Sequence, residues 1–130
     1  MEIHIKTIPH DTQRYPTVGD YWTSSAGVEE VRVSEMPDWR YEALVAVHEL
    51  IEMILTKHRG IAEESISDFD VRFEQAREEG KAFGEPGDDP HAPYRNEHFF
   101  ATNVERLLAA ELGVEWFTYE GLVDSLGVKK

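Results

Sequence analysis

Apolar and polar residues alternate at the start of the chain, where Ile3 and Ile5, extended by Ile8, predict a strand that Pro9 ends. The segment from His10 to Gly27 is loop-like, punctuated by Pro16, Gly19 and Gly27, with a short strand expected over Asp20 to Thr23. Val28, Val31 and Val33 predict a further strand across VEEVRVSEM. Beyond SEMPD the period lengthens to that of a helix. Asp38 is placed to cap it, and the run Trp39 to His58 follows before Gly60 stops it.

That helix has an apolar stripe on Ala43, Val47, Leu50, Ile51 and Ile54. A second helix is expected from Glu63 to Glu79, patterned by Ile66, Phe69 and Phe73, with its charges on a solvated face. GKAFGEPGDDPHAP, from Gly80 to Pro93, reads as an irregular loop in which Asp88, Asp89 and His91 supply turn chemistry. A third helix follows from Pro93 to Leu112, with Phe100, Ala101, Val104, Leu107, Leu108 and Leu112 on its apolar face. Val114 to Val128 forms a short amphipathic helix that packs on the others or serves a partner or homodimer contact. The fold class is α+β, one domain over residues 1–130, with short N-terminal β-strands followed by three or four α-helices.

Composition narrows the classes. An apolar fraction of 41% and an aromatic fraction of 11% fit a globular chain with its own core. No apolar run approaches a membrane span, and the charged, alternating first residues do not read as a signal peptide. Thirteen basic against 26 acidic residues give a net charge of −13, which repels phosphate backbones and disfavours nucleic acid. The absence of cysteine removes thiolate ligands and disulfides and fits a cytoplasmic location.

The candidate chemistry sits at the centre of the first long helix, in His48-Glu49-Leu50-Ile51-Glu52. A helix stacks residues four apart, so His48 and Glu52 can point at one ion from outside the apolar stripe. The third helix repeats the theme. His98 and Glu105 are seven apart on one face, among Ala101, Leu108, Ala109 and Leu112. A carboxylate on such a face is costly unless a cation compensates it. Two His and two Glu offer nitrogen and oxygen donors suited to Zn2+ or another divalent transition metal. His4, His10, His58 and His91 are expected at the surface.

VEEVRVSEMPDWRYEALVAVHELIEMIL resembles the strand, turn and active-site helix of small zincin metallopeptidases of the ImmA/IrrE type. That resemblance implies His48 as first zinc ligand, Glu49 as general base and Glu52 at the second ligand position, where the family motif HExxH has His. NEHFFATNVERLLAAEL is similar in placement to the helix that gives the third ligand, with His98 or Glu105 as candidate. The implied activity is a metal-dependent hydrolase, with a peptide as the implied substrate. Two other classes compete. One is a non-enzymatic helical interaction protein whose His–Glu contacts are structural. The other is a MazG-like Mg2+-dependent nucleotide pyrophosphatase, suggested by Glu49-x-x-Glu52 but lacking a second ExxD pair on the third helix.

Overall fold

The computed structural model describes residues 1–127, with Val128 of the expected last helix outside the described residues. The fold is the expected α+β arrangement. Strands β1 (Ile3–Ile8), β2 (Gly19–Thr23) and β3 (Glu29–Ser34) precede helices α1 (Trp39–His58), α2 (Glu63–Glu78), α3 (Arg95–Glu111) and α4 (Trp116–Gly127). The sheet order is β1-β3-β2. The central β3 runs parallel to β1, pairing Ile5 with Val31, and antiparallel to β2, pairing Tyr21 with Val31.

Val31 and Val33 alternate onto one face of β3 and are fully buried. They meet Leu44 and Val45 of α1, and Ala109 of α3, Val114 of the α3–α4 connection, and Tyr119 and Val123 of α4 complete this core. Each such aliphatic side chain contributes about 1.5–3 kcal/mol on burial. A second cluster of Ile66, Ala92 and Tyr94 seats α2 and the loop before α3. Asp38 caps α1 by accepting the Arg40 backbone N–H at 2.9 Å. Gly60 and Gly113, with φ of +68° and +67°, end α1 and α3 in the left-handed conformation that favours glycine.

The helix faces differ from the expected ones. On α1 the buried residues are Leu44, Val45, His48, Glu52, Met53 and Thr56, whereas Ile54 is 46% exposed. On α3 they are Glu97, His98, Ala101, Glu105 and Ala109, while Phe100 and Leu107 are 54% and 70% exposed. The physical reason lies in the seam between the two helices, which matches imidazoles to carboxylates and so buries the polar side of each. The expected solvated face of α2 holds at Glu63, Glu64, Asp68, Arg72 and Glu78, but Asp70 and Glu74 are buried. On the edge strand β1, Ile3 and Ile5 stay exposed. No helix among the described residues is long and apolar enough to cross a membrane.

Candidate metal centre

α1 lies between the sheet and α3, so that side chains of both helices converge in the seam. Each imidazole there has an inner and an outer nitrogen. The inner ones, His48 Nε2 and His98 Nδ1, stand 3.2 Å apart. Both reach the same oxygen, Glu52 Oε2, at 2.6 and 2.7 Å. The rings meet edge to face with centroids 4.8 Å apart. His48, Glu52 and His98 are all buried, and their donor atoms form a group that could hold a metal ion.

The outer nitrogens are held by carboxylates. His48 Nδ1 lies 2.7 Å from Glu105 Oε1, and the Tyr119 hydroxyl donates to the other Glu105 oxygen. His98 Nε2 lies 3.1 Å from Asp88 Oδ1. A carboxylate behind a ligating histidine fixes ring orientation and raises its basicity. Glu105, a candidate either as a further ligand or as a support behind one, lies behind His48, on the nitrogen that faces away from the cluster. With metal–ligand bonds of about 2.0–2.1 Å, the donor–donor edges of a tetrahedral zinc site are about 3.3 Å. The nitrogen–nitrogen edge already fits this value. The two Glu52 edges need opening by about 0.6 Å, well within one carboxylate torsion.

Electrostatics bind the three groups into a unit. Burial pushes the Glu52 carboxyl up, but the two imidazoles outweigh it and bring it to about 2. Burial pushes His98 down, yet Asp88 and Glu52 bring it to about 10. His48 is likewise lowered by burial and held well above its ordinary value by Glu52 and Glu105. The carboxylates around the two imidazoles thus favour their protonated forms.

Glu49 points from α1 into a cavity of about 390 Å³ beside the cluster. Its Oε2 is 4.0 Å from His48 Nε2, and it accepts no hydrogen bond among the described residues. Burial, then the Glu52 charge, pushes its carboxyl well above the ordinary range against the pull of His48. Gly19 of β2 holds this wall in place. A Cβ on Gly19 would come within 2.7 Å of Glu49 Cγ and 2.8 Å of Val45. On the opposite side, Gly87 presses its backbone on the His98 ring, where a Cβ would stand 2.4 Å away.

The spacing on α1 and α3 placed His48, Glu52, His98 and Glu105 in one seam, and the structure brings them together. His4, His10, His58 and His91 lie outside the cluster. Asp89 serves its turn, accepting the His91 backbone N–H at 2.8 Å. Asp88 and Gly87 were missed as parts of the site. The density of Gly, Pro and Asp around them signalled only a loop. No family model, curated protein or solved structure matches the chain.

Proposed function

We propose that the protein is a zincin-like metal-dependent hydrolase that holds a divalent transition metal, zinc first, on His48 Nε2, Glu52 and His98 Nδ1. The observation that carries this reading is the convergence of three buried donors from two helices, with a carboxylate behind each imidazole. Two neutral imidazoles and one carboxylate match the donor set of a catalytic zinc with an open position. A bound ion supplies Lewis acidity toward a carbonyl of the substrate.

The chain's own residues do the rest. Glu105 and Asp88 orient the two imidazoles and keep their inner nitrogens turned to the ion. Glu49 faces the cavity with a carboxyl whose affinity for protons is raised by burial and by the Glu52 charge, which favours the role of a general base. It takes a proton from the water that attacks the carbonyl and returns it to the departing amine. The backbone of β2 at Gly19 confines Glu49 to that position.

A metal-free reading has its own support, because Glu52, His48, His98 and Glu105 already satisfy one another by hydrogen bonds. In that reading the cluster is an ionic clasp between α1 and α3, and the protein is a non-enzymatic interaction module. Elemental analysis of untagged protein, after exposure to Zn, Mn, Fe and Ni, separates the two. One equivalent of metal, lost in His48→Ala, supports the metal centre. No metal under any condition overturns it. Peptide and amide hydrolysis that disappears in Glu49→Gln while metal content persists would establish the base.

A further inference from the structure

The cavity beside the cluster has a lining whose charge is unusual for its size. Beyond Glu52 and Glu105, its wall carries Glu49, Asp70, Glu74 and Glu85, facing Tyr15, Tyr21 and Tyr94. Its bases are His48, His98 and Arg77. Arg77 is engaged with this same wall and keeps one buried donor, Nε, without a partner among the described residues. It donates to the carbonyls of Gly127 and Gly84 and stands 3.3 Å from Glu74.

Three groups on this wall have acceptor capacity left over. Glu49 accepts no hydrogen bond among the described residues. The Tyr21 hydroxyl is buried without a partner. It stands beside Thr56, whose hydroxyl is turned to the Glu52 carbonyl at 2.8 Å. Asp70, also buried, accepts one phenolic proton on each oxygen, from Tyr15 at 2.9 Å and from Tyr94. Buried polar groups with unused capacity are costly, and an occupant that satisfies them recovers that cost.

We propose that this cavity binds a primary ammonium group on an aliphatic stem, as in a lysine side chain or a free alkylamine, with Asp70 and the Tyr21 hydroxyl as its acceptors. An anionic ligand finds acidic groups along most of the wall and, among the described residues, one free cationic donor, Arg77 Nε. A cation meets attraction from the carboxylates and from the electron-rich faces of the surrounding tyrosines. The ammonium fits better than a guanidinium for a geometric reason. A guanidinium fork needs an in-plane approach to both oxygens of one carboxylate, and at Asp70 the Tyr15 and Tyr94 hydroxyls already occupy one acceptor site on each. An ammonium directs its donors singly at separate acceptors. Ile66, Val45 and Val18 on the same wall suit the aliphatic stem. As the recognition group of a substrate, the amine rests on the hydrolase reading; its binding as such does not.

The test compares 1-pentylamine, 1-pentanol and pentanoate by calorimetry on the full chain, both zinc-loaded and chelator-stripped. N-acetyl-lysine methylamide and N-acetyl-norleucine methylamide are measured beside them. The expected result is at least tenfold tighter binding of each ammonium compound than of its neutral counterpart, with pentanoate weakest. The tighter of the two amines identifies the source, side chain or free amine. Asp70→Asn should cut the preference about tenfold. Tyr15→Phe, which removes only a hydroxyl, provides a second, milder variant expected to shift it in the same direction. Equal binding of amine and alcohol, a preference for pentanoate, or no binding of any compound overturns the inference. Amine binding in a protein that takes up no metal sinks the hydrolase reading alone. A zinc-loaded, active enzyme that ignores amines sinks this inference alone.

Discussion

Glu105 follows His48 by 57 residues in the chain and nevertheless lies 2.7 Å from its outer nitrogen. The pair joins α3 to α1 at the point where the inner nitrogen meets Glu52, so a change at Glu105 reaches the donor set through one imidazole. Glu105→Gln is expected to lower zinc affinity by about 10- to 100-fold while leaving the fold intact. Competition with a chromophoric chelator measures it. Unchanged affinity would mean that the ion does not use His48.

Zinc binding to the folded chain should appear as stability. At 100 times its dissociation constant, a ligand specific to the native state adds about 2.7 kcal/mol. For a chain of this size that corresponds to a rise in Tm of roughly 3–8 °C. Thermal melts with zinc and with chelator provide the comparison, and His48→Ala should abolish the difference.

Gly87 and Gly121 make a matched pair of substitutions. At Gly87 a Cβ would stand 2.4 Å from the His98 ring, so Gly87→Ala must displace the loop or the imidazole. A cost of about 1–3 kcal/mol follows from such overpacking, together with weaker zinc uptake. Gly121 lies on the exposed face of α4, where an added methyl would meet no atom within 4 Å. Gly121→Ala should raise stability by about 0.5–1 kcal/mol through helix propensity. Urea unfolding of both variants checks the two signs together.

Asp70 predicts a pH dependence. Burial brings its carboxyl to about 7, against the opposing pull of the Tyr94 and Tyr15 hydroxyls. The folded chain therefore holds a proton there through a window, from about pH 4 to about pH 7, in which the unfolded chain has released it. That contribution to stability is fully present below about pH 4, declines as pH rises through the window, and levels off above about pH 7. Asp70→Asn cannot ionise, so the stability difference between variant and wild type should shift in the variant's favour by on the order of a few kcal/mol across that range. Parallel denaturant titrations at pH 4.5 and pH 7.5 measure it. A constant difference would place the Asp70 carboxyl at its ordinary value.

Much of this was legible in the chain. The i, i+4 spacing of His48 and Glu52 and the i, i+7 spacing of His98 and Glu105 are properties of one helix each, and they survive into the fold. β-branched alternation located β3, and Asp38 and Gly60 located the ends of α1. What failed was the assignment of inner and outer faces. Hydrophobicity directed Ile54 and Leu107 inward, yet both are exposed, because pairing between the helices makes His48, Glu52, His98 and Glu105 the buried set. That pairing belongs to neither helix alone. The same holds for Asp88, whose place behind His98 depends on a loop path that local residue preferences leave open, and for Asp70, whose tyrosine partners come from two distant segments.

The loop between α2 and α3 touches the cluster twice, through the Gly87 backbone on the His98 ring and through Asp88 on its outer nitrogen. The same loop contributes Phe83 and Glu85 to the rim of the cavity. A guest that pushes this rim aside therefore tugs on an imidazole. On the metal-centre reading proposed above, cobalt in that site would turn the tug into a change of colour, an optical gauge of whether the cavity is filled.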